Sequence, residues 1–252
     1  MIFNSTKFGF DVSTYQDDPN VPGTVNFDKM VANGASFVIF RSTVGNLYDV
    51  DFQTFKANSR GKLPRGVYHY YWNTVSPVIQ AQLCLAAIGT EKFEGRMWLD
   101  LETTGAGAYT GWRNWKIFIE TIQAAGLRVG IYTGYFWWKT NAVDAAADLN
   151  YFAQYPLWQA WYTQYASDVQ VAKPWSSMMI WQYSSTGGGY AAGVESANID
   201  HDKWNDAYSF ENEWTTSPLP PTGATMTIYD IKGAMNIRSA ASITSTDVGD
   251  LF

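Results

Sequence analysis

With 252 residues, the chain is long enough for one large α/β barrel or for a domain carrying a small appendage. A net charge of −6 with no basic run argues against nucleic acid and anionic membranes as partners. The single cysteine, Cys84, excludes an internal disulfide and suits a reducing compartment, and no apolar run is long enough to span a membrane. Met1–Phe10 lacks a basic segment followed by an apolar one, which predicts synthesis without a signal peptide. Aromatic residues make up 17%, with 12 Trp and 16 Tyr, more than a core of this size requires. The surplus suits a groove for flat, partly apolar ligands such as sugars.

From Phe8 to about Trp204, short apolar runs alternate with helical or loop-like segments. The first run, Phe8-Gly9-Phe10-Asp11-Val12-Ser13, ends on an acid. Phe27, Met30 and Val31 predict a helix that stops at Asn33-Gly34. Ser36-Phe37-Val38-Ile39-Phe40-Arg41 is continuously apolar, as in a buried parallel strand, and Phe52 with Phe55 marks a short helix. Gly66 to Trp72 is a third strand, after which Ser76-Pro77 reads as an N-cap and first-turn proline opening a helix to Ile88-Gly89. In that helix Cys84 reads as a buried small hydrophobe.

Arg96 to Glu102 forms the fourth strand. The next helix carries Trp115, Phe118, Ile119 and Ile122 on one face and stops at Gly126. Further strands are predicted at 128–133, 156–162, 178–183 and 197–200, the last three joined by segments too weakly periodic for full helices. Eight strands with about five helices predict an irregular, parallel (β/α) barrel of the TIM type spanning residues 1–210.

Asp100 and Glu102 lie one residue apart at the end of a strand, so their side chains share a face, with Cα atoms about 6.5 Å apart. That spacing suits carboxylates flanking a glycosidic bond, at the strand ends where barrels hold their chemistry. Asp11 and Asp200 end two other predicted strands and converge on the same rim. Crowding and partial burial of four carboxyls raise some of their pKa values and keep a glutamic acid protonated near neutral pH. Asp200-His201-Asp202 offers metal ligands, but no H-E-x-x-H, paired cysteine or second nearby histidine accompanies it, so no metal or cofactor is expected. There is no G-x-S-x-G elbow, phosphate loop or dinucleotide fingerprint. His69, inside an aromatic strand, reads as a hydrogen-bonded core residue rather than a catalyst.

The block Gly9-Phe10-Asp11-Val12-Ser13-x-x-Gln16 resembles the opening of the family-25 glycoside hydrolases, the Chalaropsis-type lysozymes common among phage endolysins and bacterial autolysins. Gly66 to Tyr70, Trp98 to Glu102, Gly130 to Thr133, Leu157-Trp158-x-Ala160-x-Tyr162, Trp181 to Ser185 and Ile199-Asp200 resemble its remaining blocks in order. The resemblance covers about residues 8–206. It departs after Asp200, where His201-Asp202 replaces the usual Leu-Asn. It implies cleavage of the β-1,4 bond between N-acetylmuramic acid and N-acetylglucosamine in bacterial peptidoglycan by a monomer. Glu102 would be the general acid, Asp100 the stabiliser of the oxocarbenium-like charge, and Asp11 with Asp200 the rest of an acidic floor. Tyr70, Tyr132, Tyr162, Gln182 and Trp72 take groove positions that hold the glycan. The expected setting is a phage endolysin made in the host cytoplasm and released to the wall by a holin. A glycan-binding barrel without activity and a chitinase-like glycosidase are the alternatives. The chitinase run of alternating acids is missing, because Arg96 and Trp98 occupy its places.

Residues 211–223, rich in Pro, Ser and Thr, read as a linker. Residues 224–252, with Lys232-Gly233-Ala234-Met235-Asn236-Ile237-Arg238-Ser239 and Val248-Gly249-Asp250-Leu251, resemble the first part of a bacterial SH3-like wall-binding module, truncated before its barrel closes.

Overall fold

A computed structural model describes residues 5–18 and 25–214. Nine strands occur among them: β1 (Phe8–Val12), β2 (Phe37–Val44), β3 (Leu47–Tyr48), β4 (Arg65–Tyr70), β5 (Met97–Asp100), β6 (Val129–Gly134), β7 (Leu157–Ala160), β8 (Ile180–Ser184) and β9 (Asp200–Trp204). The sheet order β1-β9-β8-β7-β6-β5-β4-β2 is closed by pairing of β1 with β2, giving an eight-stranded barrel. The two-residue β3 only folds back on the end of β2.

The expected parallel barrel requires one correction. β9 runs antiparallel to both β1 and β8, and the eighth strand occupies 200–204 rather than 197–200. After β8 reaches the rim at Ser184, the chain has only a four-residue helix with which to return. The segment is long enough for a parallel crossover, but it holds no helix that could carry the chain back along the barrel, and the chain turns at the rim and descends. Asp200 therefore begins a strand instead of ending one, yet it still lies at the rim, paired with Asp11.

Five helices have six residues or more: α1 (Phe27–Ala32), α2 (Phe52–Asn58), α3 (Pro77–Ile88), α4 (Trp112–Ala124) and α5 (Tyr135–Asn141). Single turns follow at α6 (Ala146–Leu149), α7 (Gly189–Ala192) and α8 (Phe210–Glu213). α3 starts at Pro77 as expected, but the Ser76 side chain makes no capping hydrogen bond. In α4 the predicted face, Trp115, Phe118, Ile119 and Ile122, is the buried one.

Two apolar layers result from the period-two alternation of the strands. Phe10, Phe40, Val67, Leu99 and Ile131 face outward onto the helices. Phe37, Ile39, Tyr68, Trp98, Trp158, Ile180 and Trp204 fill the lumen. Two glycines make room for this bulk: a Cβ on Gly9 would meet the Phe37 ring at 2.5 Å, and one on Gly130 would meet Trp98 at 2.3 Å. Trp214 seals the underside, stacked on Phe37 with centroids 4.7 Å apart, while Glu213 of α8 is bound by Arg96. Residues 211–214, which composition groups with the linker, thus pack on the barrel; the remaining expected linker and wall-binding segment lie outside the described residues.

Candidate active site

The lumen is apolar from its underside to its middle and turns polar in its uppermost layer. Strand register sets this layer. Asp100, the last residue of β5, pairs with Tyr70 of β4 on one side and Tyr132 of β6 on the other. Across the barrel Asp11 pairs with Asp200, and Gln182 of β8 pairs with Asp202 of β9. Residues directly opposite in neighbouring strands point to the same face, so these groups converge without help from loops. Glu102 continues two residues past the end of β5. All of these but the wholly buried Asp202 line a cavity of about 200 Å³ that opens at the rim.

Hydrogen bonds lock its floor. Gln182 Nε2 donates to Asp11 Oδ2 at 2.7 Å, and Gln182 Oε1 accepts from the hydroxyls of Tyr132 and Tyr162, each at 2.9 Å. Trp158 Nε1 donates to Asp202 Oδ1 at 2.7 Å. Asp100 Oδ1 is fully buried and has no hydrogen-bond partner among the described residues.

The electrostatics follow from burying five carboxyls together. Burial pushes Glu102 up to about 7, assisted by the charge of Asp200 and opposed by the polar Tyr132 hydroxyl nearby. Burial also lifts Asp200 to about 6. Asp11 is held well above the ordinary range by burial, then by the charges of Asp200 and Asp202. Asp100 is raised by burial and by the charge of Glu102, and Arg41 pulls it back. Asp202 is raised by burial while its indole hydrogen bond lowers it. A cluster whose members favour each other's protonation retains protons at pH values where exposed carboxyls have lost them.

Asp11, Asp100, Glu102, Asp200, Tyr70, Tyr132, Tyr162 and Gln182 all line this one cavity. Trp72 does not. Two residues past the end of β4, its backbone is held by the Gln80 side chain, which accepts from Trp72 N at 2.8 Å and donates to Trp72 O at 3.0 Å. The ring is turned onto Gly45, where a Cβ would lie 2.2 Å away.

His69 is buried on the outer side of its strand, stacked on Phe118, and burial lowers it to about 4. Its Nε2 donates to Gln80 Oε1 at 2.9 Å and its Nδ1 accepts from Thr43 Oγ1 at 2.7 Å. The tautomer follows because the Gln80 amide nitrogen already donates to Trp72 O and Val75 O. It is a neutral strut.

Ser13, Tyr15, Gln16, Arg41, Tyr68 and Trp158 line the cavity without having been singled out. Arg41 binds Asp49 at 2.8 Å through Nε, and its guanidinium lies 4.9 Å from the Tyr15 ring centroid. A cation ending an otherwise apolar strand was the available signal for Arg41. For Asp202 it was the D-x-D alternation with Asp200.

A closed eight-stranded barrel with a carboxyl-floored, tyrosine-walled cavity at the strand ends defines a barrel protein built like a glycosidase. The profile of the glycosyl hydrolases family 25 matches residues 10–193, and the chain belongs to that family. It is similar to the bacterial lysozyme from Streptomyces coelicolor, with a TM-score of 0.67 and 27% identity over 84% of this chain and 96% of that one. The catalytic domain of endolysin ply40 from the Listeria monocytogenes bacteriophage P40 shares the fold, with a TM-score of 0.61 and 22% identity over 81% and 95% of the two chains. Among curated proteins, the uncharacterised YegX of Escherichia coli K12 is 28% identical over 190 residues, 72% of this chain. The match spans 64% of the length of that relative.

Proposed function

We propose that the chain is a peptidoglycan hydrolase, an N-acetylmuramidase cleaving the β-1,4 bond between N-acetylmuramic acid and N-acetylglucosamine. The observation that carries this reading is the pair at the end of β5: Glu102, raised to about 7 by burial, and Asp100, raised by burial and by the charge of Glu102, both lining the one cavity. A Glu102 carboxyl that keeps its proton near neutral pH passes it to the leaving glycosidic oxygen as the bond to the anomeric carbon breaks. The sugar left behind develops oxocarbenium-like positive charge, which the Asp100 carboxylate stabilises. Asp11 and Asp200 hydrogen-bond sugar or water, and Tyr70, Tyr132, Tyr162 and Gln182 hold the glycan. The likeness to a bacterial lysozyme and to a phage endolysin domain supports the choice of substrate.

The setting we propose is an endolysin acting as a monomer, with the linker beginning at residue 215 and residues 224–252 as part of a wall-binding module. No helix among the described residues is long and apolar enough to cross a membrane, and holin-mediated release would deliver such a protein to the wall. The test is mass spectrometry of borohydride-reduced fragments released from purified Gram-positive peptidoglycan by the wild type and by Glu102→Gln. Reduced muramic acid ends from the wild type alone are expected. Reduced glucosamine ends would make the enzyme a glucosaminidase, and no fragments from either protein would leave a glycan-binding barrel.

A further inference from the structure

Beyond the cavity, one side of the rim carries aromatic rings that the catalytic floor does not use: Tyr135 and Trp161, half-buried against the outer core, and the exposed Phe136. Tyr135 and Phe136 begin α5 directly after β6, and Trp161 follows the end of β7. The Tyr135 and Trp161 rings lie 4.4 Å apart between centroids, Phe136 and Trp161 4.9 Å, and Tyr135 and Phe136 5.2 Å. Phe136 remains 63% exposed although it touches both partners. Leaving such a ring in water forgoes the stabilisation that burial would give, and a contiguous exposed apolar patch marks a binding surface more often than an accident.

This patch is joined to the cavity. Trp161 N donates to Gln182 O at 3.0 Å, and Trp161 O accepts from Trp181 Nε1 at 2.8 Å, which fixes the backbone against β8. The next residue, Tyr162, turns its hydroxyl inward onto Gln182, while Trp161 turns outward onto α5. Consecutive residues thus serve the cavity and the patch. β6 is four strands from β1 in either direction around the closed barrel, so the patch faces the end of β1 across the mouth. There Tyr15, 75% exposed, stands on the Arg41 guanidinium. Between Tyr15 and the patch lies the mouth of the cavity that Asp11, Asp100, Glu102 and Asp200 line.

We propose that Tyr135, Phe136 and Trp161 form an aromatic platform for a further sugar ring of the glycan strand, outside the catalytic cavity. The proposal rests on the glycosidase reading of that cavity. A pyranose presents an apolar C–H face and a polar edge; the ring faces here match the first, and the Tyr162 hydroxyl and Gln170, which binds the Tyr135 hydroxyl at 2.8 Å, border the second. The rings themselves are uncharged, which favours the sugar backbone over the ionised stem peptide.

The test compares peptide-free glycan as tetrasaccharide and dodecasaccharide, using the full chain, Phe136→Ala, Trp161→Ala and Trp161→Phe. Cleavage is followed by KM and kcat, and binding by calorimetry in a Glu102→Gln background. Preference for the dodecasaccharide is expected to fall about tenfold in both alanine variants through KM and Kd, with kcat unchanged, and to be kept in Trp161→Phe. Equal losses on both lengths would show that Trp161 acts only by shaping the Tyr162 edge and would overturn the platform. So would unchanged preference, a wild type with no length preference, or losses confined to glycan still bearing stem peptides. Should Trp161→Ala fail to fold, the exposed Phe136→Ala decides. A wrong activity shows as absence of cleavage, whereas a wrong platform shows in the calorimetry.

Discussion

The two ends of the barrel treat carboxyl groups in opposite ways. On the underside, Arg65, almost wholly buried, holds Glu91 at 2.9 Å and Glu94 at 3.1 Å, and Arg60 reaches Glu91 at 2.7 Å. Glu213 sits between Arg96 and Arg128. The hydrogen bonds from Arg60 and Arg65 bring Glu91 down to about 2. At the rim, four carboxyls line the cavity with one cation, Arg41, which is already committed to Asp49, and a fifth, Asp202, lies wholly buried next to them. Burial raises all five. The same side chains are therefore adhesive where arginine meets them and proton-retaining where it does not, and only the second state provides an acid near neutral pH.

The largest expected effect breaks the rim. Glu102→Gln keeps the shape and removes the proton donor, so the cleavage rate should fall by about 10²–10⁴. The thermal midpoint should hold or rise, because a repelled, buried carboxyl has been deleted. A reducing-end assay beside a melting curve reads both. A variant that lost activity together with its fold would place Glu102 among the structural acids.

The matching change on the underside is Glu213→Ala. It leaves Arg96 and Arg128 without their shared counter-ion, and breaking a buried pair in this way costs about 3 kcal/mol or more. Urea unfolding should show that loss, while kcat of the folded fraction stays at the wild-type value. A fall in kcat at unchanged stability would mean that the two ends communicate, contrary to the division drawn here.

Changing pH tests both ends at once. Glu102 must be protonated to act, so activity should decline as pH rises through about 7. For stability the signs differ. Glu102 and Asp200 hold protons more tightly in the folded chain than their ordinary values of 4.5 and 3.8, so their penalty is absent below about pH 4. It grows as pH rises toward 6 and 7. Glu91 is depressed, so its contribution is full above its ordinary 4.5 and is lost as pH falls through about 2. The melting temperature should thus decline from pH 4 to pH 7, with a shallower decline in Glu102→Gln.

The rim was far more legible in the sequence than the underside, for a physical reason. Strand periodicity and sharp stops placed Asp11, Asp100 and Glu102, since a side chain's face is fixed by its position in the strand. Asp200 was assigned to the correct rim through an incorrect strand direction; the short helix after β8 shows why the chain returns antiparallel, but segment length alone did not. Arg41 was hidden because a cation closing an apolar run also fits an exposed strand end. α8 was unreadable: Phe210–Glu213 is four residues long, and its place comes from Arg96, Arg128 and Phe37, more than eighty residues away in sequence.

Trp72 gives the smallest expected effect and sharpens where the rim ends. Sequence placed it with the glycan-holding aromatics, whereas its ring covers Gly45, a residue at φ +53°, and its backbone is clasped by Gln80. Trp72→Phe retains an aromatic cover and both backbone hydrogen bonds, so stability should change by no more than about 0.5 kcal/mol. The KM for glycan should stay within about twofold, which corresponds to a similarly small free energy. Tyr162→Phe, by contrast, removes a hydrogen bond to Gln182 at the floor, and its KM should rise several-fold more than that of Trp72→Phe. If the two variants weakened glycan binding equally, the loop after β4 would belong to the groove, and the boundary between the acid-floored cavity and its scaffold would lie outside Trp72 rather than inside it.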